Sequence, residues 1–131
     1  MKKTILIIED EASLNNALAI SFDGPEWNVL QAYHGKEGID MALQNKPDII
    51  LLDLLMPVMS GEEFLVELRK DSWGKNAKVV ILTNYSLAEK SIAKTIFETR
   101  PVSFFVKSST KLKKIVAHVE EILESKDTDK K

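Results

Sequence analysis

The sequence predicts an α/β fold: a five-stranded parallel sheet, doubly wound, with helices on both faces. Three observations predict it. Short β-branched apolar runs recur along the chain, each is followed by a segment with apolar residues at helical spacing, and strict alternation of the two implies right-handed crossovers within one sheet. A chain of 131 residues, 44% of them hydrophobic, holds one packed core and no second domain.

The first strand is "TILII" (residues 4–8), a continuous apolar run of the kind buried on both faces of a parallel sheet. Acids end it at Glu9, Asp10 and Glu11. A helix from Ala12 places Leu14, Ala17, Leu18 and Phe22 inward and stops at Gly24-Pro25. "NVLQAY" (28–33) reads as the second strand. The helix after it turns Ile39, Ala42 and Leu43 inward and closes before Pro47, which biases Lys46 toward an extended conformation. "DIILLD" (48–53) is the third strand. Ser60-Gly61-Glu62-Glu63 has the spacing of a capping box and opens a helix with Phe64, Leu65 and Leu68 inward. "KVVILT" (78–83) is the fourth strand, and Ser86 to Glu89 repeats the capping-box spacing before a helix carrying Ile92, Ile96 and Phe97. "VSFFVK" (102–107) is the fifth. Leu112, Ile115, Val116, Val119, Ile122 and Leu123 form the stripe of the last helix. The domain is expected to span residues 1–125, with 126–131 a polar tail.

Composition excludes several classes of function. A formal net charge of −2 without a long block of like charge argues against direct nucleic-acid binding. The absence of cysteine excludes disulfides, thiolate metal sites and thiol catalysis. No apolar run approaches the roughly 18 to 20 residues that span a bilayer, and acids interrupt the N-terminal segment before it resembles a signal peptide. The expectation is a cytoplasmic protein without a membrane partner.

All strands of a parallel sheet point one way, so the residues that end them share one edge, where open α/β folds bind ligands. The first strand brings Glu9 and Asp10, the third Asp53, the fourth Thr83 and the fifth Lys107. This arrangement places Asp53 at the wet end of its strand rather than in the core. Two like charges about 4 Å apart repel by about 4 kcal/mol at an effective dielectric of 20, so three carboxylates call for a cation. With oxygen donors throughout, the expected ion is Mg2+, held by Glu9, Asp10 and Asp53, with the backbone carbonyl of Leu55 as a further candidate ligand. Ionised Asp53 is then a nucleophile able to take a phosphoryl group as an acyl phosphate. Lys107 and the ion would neutralise the phosphoryl oxygens, and Thr83 would donate a hydrogen bond to the product.

"ILIIEDEA", "LLDLLMPVMSGEEFL", "VVILT" and "FFVK" together resemble the receiver domain of two-component response regulators, over nearly the whole chain. The resemblance implies a flavodoxin-like (βα)5 fold of strand order 2-1-3-4-5. It implies that Asp53 is the phosphoacceptor, Glu9 and Asp10 the acidic pair at Mg2+, Thr83 the switch hydroxyl and Lys107 the lysine that contacts the phosphoryl group. The implied donor is a sensor histidine kinase or phosphotransfer protein. The implied recipient is a downstream protein or output domain, and a phosphorylation-dependent homodimer is a further implied state. On this reading the protein is a switch, not a turnover enzyme. Phosphorylation of Asp53 draws Thr83 in, Phe104 follows, and the surface of the fourth helix, fifth strand and fifth helix changes its partner preference, with Lys90, Lys94, Lys111 and Glu120 on its rim.

Four positions depart from the family pattern. Ser108 follows Lys107 where the family usually has Pro, Phe104 stands where Tyr is common, and Arg100-Pro101 replaces a common Gly-Ala. A cis bond between Lys107 and Ser108 would cost about 3 kcal/mol. Leu55 and Tyr85, bulky neighbours of the phosphoryl site, are expected to hinder attack by water and lengthen the phosphorylated state. The alternative from another class is a phosphorylation-independent receiver-like protein-binding module. A flavin-binding or phosphatase relative is disfavoured, because "EDEA" offers no Gly-, Ser- or Thr-rich phosphate loop. His34 and His118 read as surface or groove residues, Met41, Met56 and Met59 as packing, and Trp27 and Trp73 as cover for a sheet edge or loop.

Overall fold

The structure, a computed structural model, describes residues 2–54, 56, 58–83, 94, 98–99, 101, 103–106 and 110–128, without the side chains of 83, 104, 106 and 125–128. Five parallel strands, β1 (Lys3–Ile8), β2 (Trp27–Ala32), β3 (Ile49–Leu52), β4 (Val79–Thr83) and β5 (Ser103–Val106), form one sheet in the order β2-β1-β3-β4-β5. The helices are α1 (Ala12–Ser21), α2 (Gly35–Asn45), α3 (Gly61–Lys70) and a C-terminal helix (Leu112–Thr128), and a 3-10 turn (Gly74–Asn76) precedes β4. The expected fourth helix lies mostly outside the described residues, as does the second capping box.

The continuous apolar strands are explained by what lies on each side. Leu6, Ile8, Ile50, Leu52, Val79 and Ile81 pack with Phe64, Leu65 and Leu68 of α3 and with Ile39 and Ala42 of α2. Ile5, Ile7, Ile49, Leu51, Val80 and Leu82 pack with Leu18 of α1 and with Ile115, Val119, Ile122 and Leu123 of the C-terminal helix. Side chains alternate across a strand, so burying both faces requires both residue sets to be apolar. Asp48 locks the entry to β3: its N–H donates to Thr4 O at 2.8 Å, and its Oδ2 accepts from Thr4 N at 2.7 Å.

Several details differ from the sequence reading. On α1 the inward residues are Asn15 and Leu18, with Leu14 and Ala17 half-buried. Leu43 of α2 is 37% exposed, because the α2 stripe turns toward Ile39 and Ala42. Lys46 is left-handed (φ 47), not extended, and its N–H donates to Ala42 O as the helix terminates. His34 is more than a surface residue, since it caps α2 by accepting from Glu37 N at 3.2 Å. His118 lies 2.6 Å from Ser103 Oγ and edge-on to Phe105. Trp27 lies within β2, nearly buried against the edge of Phe22. With no Gly or Pro to stop it, the last helix continues through Thr128, so the start of the expected polar tail is helical.

The capping box of α3 is present in both directions. Ser60 Oγ accepts from Glu63 N at 3.1 Å, and Glu63 Oε1 accepts from Ser60 N at 3.0 Å. Ser60→Ala is expected to cost about 1 kcal/mol, seen as a lower urea midpoint with an unchanged slope. At the other end of α3, Arg69 donates at 2.8 Å to each of three carbonyls, those of Thr99, Gly74 and Ala77.

Candidate functional site: an acid cluster at the strand ends

Parallel register brings the acids together. Ile8 of β1 pairs with Leu52 of β3, so the next residues, Glu9 and Asp53, emerge side by side where the strands end. Asp53 N donates to Ile8 O at 3.0 Å, and Glu9 N donates to Ala32 O at 3.1 Å, which fixes both main chains to the sheet. Glu9 Oε2 accepts from Glu11 N at 3.1 Å and holds the start of the loop in a tight turn. One carboxylate oxygen each from Glu9, Asp10 and Asp53 lies within 4.8 Å of the others.

Burial corrects one expectation. Asp53 is only 3% exposed and Glu9 1%, while Asp10 faces solvent. Asp53 is therefore enclosed at its strand end instead of being open to water, and α3 starts directly against its main chain. Gly61 N donates to Leu54 O at 2.9 Å, and a Cβ on Gly61 would lie 2.5 Å from both Asp53 O and Leu54 Cα. Only a residue without a side chain permits that approach. Two nearly buried carboxylates beside a third form a strongly electronegative pocket of oxygen donors. A hard, oxygen-seeking divalent cation fits that donor set.

Of the other expected site residues, Thr83 ends β4 and pairs with Val106, and the Phe104 main chain pairs with Ile81. The side chains of Thr83 and Phe104 lie outside the described residues. So do Leu55, Tyr85, Lys90, Lys107 and the Lys107–Ser108 bond. Lys94, Lys111 and Glu120 are exposed. Sequence reasoning missed Asn15, which is fully buried and donates through Nδ2 to Glu9 O at 3.0 Å and Ala32 O at 2.9 Å. Its signal was available, since it lies three residues before Leu18 on the inward stripe, where an apolar residue is the norm.

Residues 5–120 match the model of the response regulator receiver domain family. The chain belongs to that family. Among its relatives, the receiver domain is 32% identical over 81 residues to the phosphate regulon transcriptional regulatory protein PhoB of Pseudomonas aeruginosa, covering 62% of this chain and 35% of PhoB. It is 34% identical over 79 residues to the response regulator ArlR of Staphylococcus aureus, covering 60% of this chain and 35% of ArlR. The chain thus matches about a third of the length of these two relatives. Solved structures show the same fold: a CheY-like receiver domain from Methanospirillum hungatei has a TM-score of 0.87 at 18% identity, with 98% of this chain and 99% of that one covered. The chemotaxis protein CheY4 of Vibrio cholerae has a TM-score of 0.81 at 21% identity, with 92% and 98% covered. Among the described residues of this receiver domain, no helix is long and apolar enough to cross a membrane.

Proposed function

We propose that this receiver domain is a phosphorylation-dependent switch whose acceptor is Asp53, with Glu9, Asp10 and Asp53 holding Mg2+ and the Leu55 carbonyl as a further ligand. The observation that carries this reading is the convergence of three carboxylate oxygens within 4.8 Å, two of them on nearly buried residues. When bound, Mg2+ offsets negative charge on the phosphoryl oxygens. The chain's own contribution is placement. The Asp53 main chain is tied to Ile8 and pressed by Gly61, so its carboxylate meets an incoming phosphorus atom at a fixed position.

A carboxylate oxygen of Asp53 forms the new O–P bond as the donor's P–N bond breaks, and the departing imidazole of a histidine kinase or phosphotransfer protein takes up a proton. Lys107 contacts a phosphoryl oxygen, and Thr83 donates a hydrogen bond to it. Phe104 follows Thr83, and the exposed face that includes Lys94, Lys111 and Glu120 passes the change to an output domain or partner. Leu55 and Tyr85 shield the acyl phosphate from water.

The test is incubation with acetyl phosphate, with and without Mg2+, followed by intact mass of wild type and Asp53→Asn. A single phosphoryl adduct that needs both the ion and Asp53 supports the reading. A wild-type protein that stays unlabelled in excess Mg2+ sinks it in favour of a phosphorylation-independent binding module.

A further inference from the structure

We infer that Asn15 is a positioning residue for the acid site: its buried amide fixes the loop that carries Glu9 and Asp10 and thereby sets the affinity of the cluster for a divalent cation. The inference rests on the metal-site reading above.

Asparagine is a poor helix former, and a buried amide is costly unless its polar atoms are bonded. Asn15 nevertheless sits in α1 with no exposed surface. Its side chain makes three hydrogen bonds. Nδ2 donates to Glu9 O and Ala32 O at 3.0 and 2.9 Å, and Oδ1 accepts from Gln31 Nε2 at 2.9 Å. Its main chain adds a fourth, with Asn15 N donating to Glu11 O at 2.9 Å.

One residue therefore grips the carbonyls on both sides of Asp10. Holding Glu9 O restricts the Glu9–Asp10 peptide plane, and Glu9 Oε2 restricts the Asp10–Glu11 plane by accepting from Glu11 N, which together determine where the Asp10 carboxylate points and keep Glu9 beside Asp53. Ala32 O accepts from both Glu9 N and Asn15 Nδ2, so the end of β2 is the anchor for this clamp. Gln31 sets the direction of the Asn15 amide. Its Nε2 also lies 2.9 Å from Asn16 Oδ1 and 3.3 Å from the Tyr33 hydroxyl, so the clamp continues to the protein surface.

A leucine at position 15 has the same branched outline without a donor or acceptor, so side-chain shape alone does not account for the amide. Carboxylates that repel one another spread apart unless their main chain is held, and a cation binds less tightly to a cluster it must first gather. Supporting bonds behind metal ligands typically contribute 10- to 100-fold in metal affinity.

The test is calorimetric titration of Mg2+ into wild type, Asn15→Leu, Gln31→Met and, as a control, Arg69→Met at the far edge of the sheet, with the folded state of each checked by circular dichroism. The expected result is a Kd about tenfold weaker in Asn15→Leu and about two- to threefold weaker in Gln31→Met. Arg69→Met should lose thermal stability with its Kd unchanged. If Asn15→Leu loses stability but binds Mg2+ as tightly as wild type, the residue is structural only and the inference is overturned. Should Asn15→Leu fail to fold, Gln31→Met decides, and an unchanged Kd there overturns it. A wild-type protein without measurable Mg2+ binding would instead remove the metal site itself.

Discussion

Asp53→Asn should raise the thermal midpoint by about 3 to 6 °C when divalent ions are removed with EDTA, while abolishing phosphoryl acceptance. The cluster places carboxylate oxygens within 4.8 Å, and two of the three residues are nearly buried, where screening by water is weak. At an effective dielectric of about 20 such a pair repels by about 3 to 4 kcal/mol. Asp10 is exposed and its share is reduced by solvent, so a net gain of about 1 to 2 kcal/mol on neutralising Asp53 is expected, which corresponds to that midpoint change. The sign should reverse in Mg2+. A cation bound at the proposed site would stabilise wild type by binding the folded state, and the Asn variant would retain little of that gain. Differential scanning fluorimetry of both proteins across a Mg2+ series reads the two effects separately. A midpoint that falls in EDTA would mean that Asp53 is held by favourable partners stronger than the repulsion.

The second large effect is expected at Gly61, which carries no chemistry. The new Cβ in Gly61→Ala would meet two main-chain atoms at 2.5 Å, and neither can rotate away as the tip of a flexible side chain would. Either α3 moves outward or the Asp53 to Leu54 segment shifts, and overpacking of this kind costs about 1 to 3 kcal/mol or more. The first route weakens the contacts of Phe64, Leu65 and Leu68, and the second displaces Asp53. Urea denaturation should show the loss of stability. Acetyl phosphate labelling of the folded fraction should slow at least tenfold, since a shift of about 1 Å at a reacting group costs roughly 100-fold in rate. Normal labelling on a normally stable protein would show that the close approach is relieved elsewhere.

The sheet was legible because each strand is a continuous apolar run that both faces require, and its order came from the resemblance that "ILIIEDEA" and "LLDLLMP" carry. The meeting of Glu9, Asp10 and Asp53 was legible for a geometric reason, since parallel strands end on one edge. The burial of Asp53 was not. It depends on the tertiary packing around the end of the strand, which no periodicity encodes. Lys46 and Val58 were illegible in a similar way. Both are left-handed without being glycine, and β-branched Val58 in particular disfavours φ 67, so loop closure overrides local preference there. Asn15 went unread because a search for apolar stripes passes over the polar residue inside one.

Arg69 ties the opposite edge of the sheet together through bonds that do not depend on acidity. The guanidinium stays protonated throughout the range in which proteins fold, and the carbonyls of Thr99, Gly74 and Ala77 do not titrate. Neither side of these three bonds gains or loses charge as the medium is acidified. Acidification should therefore leave the C-terminal end of α3 joined through the arginine to the turn before β4.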